Sequence, residues 1–114
     1  MAIEIDVADV VLCEFYFSDL QQSKKRPVLV LKDNLPHNDF VGIPISSRLR
    51  ELYQDESPVD SSQFSEGGIP KTSKVMVRKT FVVSKSVVLK KYGTLKEDAF
   101  RQYHKLFCRY FDCV

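Results

Sequence analysis

A basic cluster stands directly before an apolar run near the start of the chain. Lys24, Lys25 and Arg26 precede residues 27–31, which read PVLVL. A continuous apolar run of this length is typical of a buried central strand, so the residues at its mouth are firmly held. An arginine guanidinium keeps its charge at any working pH and forms planar, bidentate contacts with phosphate. Arg26 is therefore a candidate phosphate ligand; the alternative is a plain solvated turn before a strand.

Two further polar groups could serve the same chemistry. Ser46 and Ser47 end a predicted strand, and hydroxyls at a strand end can donate hydrogen bonds to phosphate oxygens. Arg78 and Lys79 lie inside another predicted strand, where a bulky polar pair suits a surface or a site and not a core. Ordinary turn chemistry is the alternative for the serines. His37 lies in a predicted turn and is a further polar candidate, but a single loop histidine is more often incidental.

Several classes of site are excluded by what the sequence lacks. It has no glycine-rich phosphate loop, no paired Cys/His nucleophile and no metal-ligand spacing, so we expect neither a cofactor nor a metal. The three cysteines are odd in number and widely spaced, which argues against a disulfide framework, and Cys13 suits a core. No apolar run approaches the roughly 20 residues of a membrane span, and the acidic N-terminus does not resemble a targeting signal. These features predict a cytoplasmic protein.

The elements that must position these residues are mostly strands. The 114 residues, 13.2 kDa, suit one domain spanning residues 1–114. Patterning predicts a small, strongly curved antiparallel sheet or barrel of five strands, with a helix at its C-terminal end. The predicted strands cover residues 8–17, 27–31, 40–45, 74–83 and 87–92.

The remaining segments have weaker patterns. We predict a polar loop over residues 18–26 and a turn over 33–39. Residues 48–53 suit a short helical turn, and a long loop follows as far as residue 70. From Lys96 apolar residues recur at helical spacing, and Thr94 with Glu97 fits a capping box.

Charge is unevenly divided along the chain. The total is only +2, but residues 1–70 hold 6 Lys/Arg and 12 Asp/Glu, whereas residues 71–114 hold 11 and 3. The net charges of the two parts are thus −6 and +8. Such asymmetry favours an anionic partner. The alternative is that the two parts mainly neutralise each other in the fold.

Taken together and in order, these motifs resemble the PemK/MazF family of type II toxin endoribonucleases, the mRNA interferases. The resemblance rests on ADVV at residues 8–11, RPVLVL at 26–31, PISS at 44–47 and KSVVLKKYGTL at 85–95, followed by the predicted helix. Each motif alone is weak, but the ordered set covers essentially the whole chain.

The resemblance implies a mainly β, SH3-like small barrel with a C-terminal α-helix, the fold of PemK, MazF and CcdB toxins. It further implies a homodimer, metal-independent cleavage of single-stranded RNA, and a cognate antitoxin whose acidic, disordered tail blocks the RNA groove. The family's catalytic arginine falls on Arg26 and its Thr/Ser partner on Ser46. Residues expected to bind RNA are Phe17, Lys24, Lys25, Ser47, Arg78 and Lys79.

One departure from the family pattern leaves alternatives open. Some members carry Arg-x-Asp in the fourth strand as acid and base, but the aligned second position here is Arg78, or Thr80 after a shift of two residues. Arg26 and Ser46 are poor bases at neutral pH, so no general base is assigned. A catalytically weak or inactive module of this fold that binds RNA or a protein such as gyrase is the second hypothesis. An interaction protein whose basic part serves only an acidic partner is the third.

Overall fold

The computed structural model describes residues 3–16 and 22–113, which form eight β-strands and one α-helix. Short 3-10 turns join several of the strands, including the turn Val77–Lys79. The strands and the helix are β1 Asp9–Tyr16, β2 Ser23–Leu35, β3 Asp39–Ser46, β4 Glu56–Val59, β5 Phe64–Gly67, β6 Ser73–Met76, β7 Phe81–Ser84, β8 Val88–Leu95 and α1 Glu97–Phe111.

The sheet is antiparallel and curls into a half-barrel. The strand order is β4-β6-β3-β2-β1-β8-β5, which puts β2 near the middle with β1 and β3 as its neighbours. The second edge of β3 is shared, since residues 39–42 pair with β7 and residues 45–46 pair with β6. This architecture confirms the predicted mainly β fold with a C-terminal helix.

The core lies on both sides of β2. Leu29 and Leu31 belong to a cluster that includes Tyr103 of α1, while Val28 and Val30 join Phe40 in a second cluster. Successive side chains of a strand point to opposite faces, so an unbroken apolar run is stable only when both faces are covered. β1 alternates between the two clusters in the same way, as its apolar residues predict.

Helix α1 packs its apolar stripe against the first cluster. Ala99 and Tyr103 are buried, and the Tyr103 hydroxyl donates a hydrogen bond to the carbonyl of Pro58 at 2.7 Å. The stripe reaches solvent at its end, where Tyr110 and Phe111 are exposed. Within the described part of the chain, no helix combines the length and apolar character that crossing a bilayer requires.

The predicted capping box of this helix is wrong. Lys96 occupies the N-cap position without a side-chain cap, and Thr94 belongs to β8. The Thr94 hydroxyl instead donates to the carboxylate of Asp9 at 2.7 Å, and the Lys91 ammonium lies 3.3 Å from the same carboxylate. Asp9 is buried, and a buried carboxylate is stable only with such partners. The Thr94 hydroxyl therefore bonds to Asp9 and does not cap α1.

The predicted irregularity of residues 48–70 is only partly correct. No helical turn forms at residues 48–53, and the segment beyond them contains β4, a 3-10 turn and β5. Each of these two strands has four residues and pairs with a strand distant in sequence, β6 for β4 and β8 for β5. Four residues carry too little alternation to be recognised locally, because the pairing partner stabilises the strand.

Two predicted boundaries also shift. The strand expected over residues 74–83 is interrupted by the turn Val77–Lys79, because the chain must cross from the β6 position to the β7 position along β3. The carboxylate of Asp55 accepts the Arg78 N–H at 2.9 Å and holds this turn in place. Residues 23–26, expected in a loop, belong instead to β2, which begins at Ser23 and includes the whole basic cluster; residues 18–21 of the expected loop lie outside the described residues.

Ion pairs join the acidic and basic parts of the chain. Three lysines from the basic part each contact an acid from the acidic part, which supports partial neutralisation within the fold. These pairs are Lys74–Glu56 at 2.8 Å, Lys85–Asp33 at 2.9 Å and Lys91–Asp9 at 3.3 Å.

Cys13 is fully buried in the second cluster, as predicted. Burial raises the pKa of its thiol to about 12, so the side chain stays protonated and unreactive at neutral pH.

Replacing Tyr103 tests the packing of α1. Burial raises the pKa of Tyr103 from 10.0 to about 12, so the stability contributed by the neutral phenol is complete below pH 10 and is lost between pH 10 and 12. We expect Tyr103→Phe to lower the free energy of unfolding at pH 7 by about 1–2 kcal/mol, because the Pro58 carbonyl loses its donor. The variant's stability should also decline less steeply above pH 10. Denaturant unfolding measured from pH 7 to 12 checks both effects.

The matched control is Tyr110→Phe, since Tyr110 is 45% exposed. It should change neither the stability at pH 7 nor the alkaline decline. An alkaline decline in Tyr103→Phe as steep as that of the wild type would contradict the assignment.

Candidate functional site

A cavity of about 310 Å³ opens where β1, β2, β3 and β7 meet the turn Val77–Lys79. Its walls combine cationic with aromatic and other apolar groups. The lining residues are Phe15, Lys24, Arg26, Pro44, Lys79 and Phe81.

Strand alternation explains why the cations of β2 reach this cavity. Arg26 and Lys24 lie two and four residues before Val28, so all three side chains share one face of the strand. In the β1–β2 pairing, Arg26 stands opposite Cys13 and Lys24 opposite Phe15. The face that is core at Val28 therefore becomes the cavity wall at Arg26, where the side chain is half-buried.

Two phenyl rings form the apolar part of the wall. The centroids of Phe15 and Phe81 are 5.4 Å apart, and their planes are tilted by 55°. Both rings are partly buried against the second core cluster, which fixes their positions. Aromatic faces of this kind are suited to stacking with a nucleobase, because every base has a flat π-face.

The electrostatics of the cavity favour an anion. Arg26, Lys24 and Lys79 all line it, and no lining residue among those described is acidic. Neither Arg26 nor Lys79 forms an ion pair with a described carboxylate. Glu14 alternates to the other face of β1, where its carboxylate accepts the Ser23 hydroxyl at 2.9 Å. Unneutralised cations beside low-dielectric walls create a positive potential that attracts phosphate.

Ser46 lies at the end of β3 nearest to Arg26. It is two residues beyond Pro44, a cavity residue, and hence on the same face of the strand. The β2–β3 pairing ends at Val28↔Pro44, two residues short of both Arg26 and Ser46, and Ser46 itself pairs with Lys74 of β6 and is not among the residues that line the cavity. Its hydroxyl oxygen accepts the Arg48 N–H at 3.2 Å, which leaves the hydroxyl proton free to donate.

The other predicted RNA-binding residues fall in different places. Lys25 is exposed on the opposite face of β2, across from Glu14, and does not line the cavity. Ser47 is exposed just past the end of β3 and is also outside the lining. Phe17 lies outside the described residues.

The turn Val77–Lys79 separates two residues that were expected to act together. Lys79 lines the cavity, whereas the Arg78 guanidinium lies 5.8 Å from the centre of the Tyr53 ring, in the segment before β4. Thr80, the other residue considered for the fourth-strand acid position besides Arg78, donates its hydroxyl to the Val77 carbonyl at 2.6 Å. The turn supplies one cation to the cavity and no acid.

The remaining candidates do not join the site. His37 is exposed in the turn after β2 with a φ of 63°, away from the cavity lining. Over residues 3–16 and 22–113, no three His, Cys, Asp or Glu side chains gather as metal ligands would.

Sequence reasoning missed three residues of the wall. Phe15 carried a usable signal, because it shares a predicted strand face with Cys13. Pro44 was visible as part of the PISS motif but was not assigned to a site. Phe81 carried no local signal, since it reaches the cavity only because β7 pairs with β3 at Gly42.

Comparison with known families gives one match that spans nearly the whole chain. The sequence profile of the PemK-like, MazF-like toxins of type II toxin–antitoxin systems matches residues 6–111. None of the curated protein sequences compared matches the chain.

Solved structures share the fold at low sequence identity. The Mycobacterium tuberculosis toxin MazF-mt6 is 23% identical with a TM-score of 0.68, over 91% of this chain and 96% of that one. A MazE–MazF structure from Deinococcus radiodurans is 16% identical with a TM-score of 0.78, over 96% and 97% of the two chains. An endoribonuclease in complex with its cognate antitoxin, from a mycobacterial species, is 13% identical with a TM-score of 0.72, over 94% of each chain.

Arg26 and Lys79 form no ion pair with a described carboxylate, so their mutual repulsion should lower the stability of the free protein. We expect Lys79→Gln to raise the free energy of unfolding by about 0.3–0.5 kcal/mol at low salt, because it removes repulsion among like charges, and the gain should shrink as salt is added. Lys71→Gln, at an exposed lysine outside the cavity, is the matched control and should have no such effect. Denaturant unfolding at two salt concentrations checks this, and equal behaviour of the two variants would contradict it.

Proposed function

Because the chain belongs to the PemK-like, MazF-like toxin family of type II toxin–antitoxin systems, we propose that it is an endoribonuclease toxin that cleaves single-stranded mRNA. The observation that carries the proposal is the cavity in which Arg26 and Lys79 meet the rings of Phe15 and Phe81. Phosphate and base are the two chemical parts of an RNA strand, and this cavity offers a suitable surface to each. The reaction needs no metal ion and takes place in the cytoplasm.

The proposed reaction is a transesterification within the RNA strand. The ribose 2′ oxygen loses its proton and attacks the adjacent phosphorus, and the bond from phosphorus to the 5′ oxygen breaks. The 5′ oxygen takes up a proton, so the products are a 2′,3′-cyclic phosphate and a 5′-hydroxyl. The phosphoryl group carries extra negative charge in the transition state, and stabilising that charge is the main contribution available to this site.

Arg26 and Ser46 are assigned to that charge. The guanidinium offers two parallel N–H donors to the phosphoryl oxygens and remains charged throughout the reaction. The Ser46 hydroxyl donates to a non-bridging oxygen. Lys24 and Lys79 hold neighbouring phosphates, and a base stacks on Phe15 or Phe81, which is worth about 1–3 kcal/mol in comparable sites.

The positive cavity also suggests how the toxin is restrained. We propose a cognate antitoxin whose acidic tail competes with RNA for Arg26 and Lys79, and a homodimer as the state in which the toxin acts. In the mycobacterial comparison structure an endoribonuclease is in complex with its cognate antitoxin, which supports an antitoxin for this chain.

A second candidate function follows from one observation. The described residues that line the cavity include no carboxylate, so acid and base groups for proton transfer are not supplied there. A module that binds RNA, or a protein target, without cleaving it has the same fold and the same charge. It would bind single-stranded RNA with a strong salt dependence and leave the strand intact.

The test is incubation of the purified protein with single-stranded RNA in the presence of EDTA. We expect fragments ending in a cyclic phosphate and a 5′-hydroxyl. Arg26→Ala should lower kcat by about 10²- to 10³-fold, because the transition-state charge loses its main partner. Ser46→Ala should cause a smaller loss, since it removes one neutral donor.

Lys105→Ala is the control variant, because Lys105 is an exposed cation of α1 outside the cavity. It should cleave RNA at the wild-type rate. Equal cleavage by Arg26→Ala and the wild type would refute the assignment of Arg26. Intact RNA that stays bound to the wild type would favour the non-catalytic module.

A further inference from the structure

An exposed tyrosine stands beside the cavity but takes no part in it. Tyr53 lies in the segment between β3 and β4, and 54% of its surface is open to solvent. The Arg78 guanidinium carbon lies 5.8 Å from its ring centre, and the Lys74 ammonium lies 6.0 Å from it. The ring thus lies between two cations, is exposed to solvent and is not part of the apolar core.

The backbone on both sides of Tyr53 is firmly held. The Tyr53 N–H donates to the Glu56 carboxylate at 3.0 Å, and the Glu56 N–H donates to the Tyr53 carbonyl at 3.0 Å. The Glu56 carboxylate is in turn paired with Lys74 at 2.8 Å, and the two side chains are only 3% and 10% exposed. A buried ion pair of this kind fixes the segment, because separating its charges is costly.

The backbone that carries Arg78 is held as well. Asp55 is 3% exposed, and its carboxylate accepts the Arg78 N–H at 2.9 Å. The Asp55 carbonyl accepts the Val77 N–H at 3.0 Å, so the segment before β4 and the turn Val77–Lys79 are joined twice. The backbone segments that carry the ring and the guanidinium are therefore fixed next to each other before any ligand arrives, which reduces the entropy lost on binding.

Tyr53 and Arg78 are linked to the cavity through the turn Val77–Lys79. Arg78 and Lys79 are neighbours in one turn, and Lys79 lines the cavity while Arg78 lies at the Tyr53 ring. Because the Cα atoms of neighbouring residues are about 3.8 Å apart, the nucleotides next to a phosphate held by Lys79 come within reach of Arg78 and the Tyr53 ring. Arg48 and Arg50, both exposed, add positive charge to the segment that carries Tyr53.

We propose that Tyr53 and Arg78 form a stacking platform for a nucleobase outside the cavity, on the same RNA strand. This inference rests on the proposed function and adds a base-binding position to it. Both the tyrosine ring and the planar guanidinium stack on bases, and the exposed Arg78 charge favours an anionic nucleic acid over an apolar protein surface. Because stacking accepts any base, the platform contributes affinity more than sequence preference.

Fluorescence tests the platform directly, because the chain contains no tryptophan. Tyr53→Trp introduces a single indole, and we expect its emission to be quenched when mixed-sequence 2′-O-methyl RNA is added. This probe has no 2′ proton to lose and stays intact. Tyr110→Trp, at the exposed end of α1, is the matched control and should not be quenched.

Affinity and kinetics supply the second readout. We expect Tyr53→Ala to weaken binding of the same probe by about 5- to 150-fold, the range that loss of one stacked base corresponds to. Tyr53→Phe should bind nearly as the wild type does. In cleavage of ordinary RNA, Tyr53→Ala should raise KM more than it lowers kcat, and the loss should persist at high salt because stacking is not ionic.

The outcomes separate this inference from the proposed function. The platform would be overturned, and the proposed nuclease activity would still stand, if the wild type cleaves RNA but two further results are negative. These are that RNA does not quench Tyr53→Trp and that Tyr53→Ala binds RNA as tightly as the wild type. Quenching by a polyglutamate peptide but not by RNA would overturn it in favour of an acidic protein partner. A wild type that neither binds nor cleaves RNA would overturn both proposals.

Discussion

Burial of β2 on both faces is the constraint on which the rest of the site depends. Residues 28–31 must alternate between two core clusters, so the direction of every earlier side chain on the strand is set. Arg26 consequently stands where the second cluster ends, opposite Cys13 and beside the wall that Phe15 and Phe81 form. A slip of one residue in this register would move the guanidinium to the opposite face. The Arg26 guanidinium, which we propose binds phosphate, is thus positioned by the packing of Val28 and Val30.

Two groups of cations differ in their surroundings, lysines that form ion pairs within the fold and cations that line the cavity. Lysines from the basic part neutralise Asp9, Asp33 and Glu56 of the acidic part, which are all at least half-buried. The cavity is different, because neither Arg26 nor Lys79 pairs with a described carboxylate. The +2 total is therefore a poor guide to function, since the lysines of the ion pairs are structural and the cavity cations come from both parts of the chain. Repulsion among the cavity cations is the cost of a site ready for an anion.

Apolar patterns in the sequence correctly predicted the elements that are long enough to carry such a pattern. The long strands, the C-terminal helix, and Arg26 at the mouth of the buried strand all follow from apolar periodicity. The four-residue strands and the turn Val77–Lys79 do not, because distant pairing along β3 creates them. Thr94 had the right spacing for a cap, but the buried carboxylate of Asp9 binds its hydroxyl instead. Phe81 and Tyr53 could not be placed beside the basic residues from local sequence, because the pairing of distant strands brings them there.

In the proposed reaction, this cavity holds an RNA phosphodiester while the neighbouring ribose attacks it. The most direct measurement uses an RNA in which a single 2′-deoxynucleotide replaces the nucleotide on the 5′ side of a mapped cleavage site. We expect cleavage at that bond to stop, while affinity for the strand changes by less than about threefold, since phosphate contacts and stacking supply the binding. Continued cleavage at the deoxy position would rule out attack by the ribose 2′ oxygen, because another nucleophile would then be attacking the phosphorus.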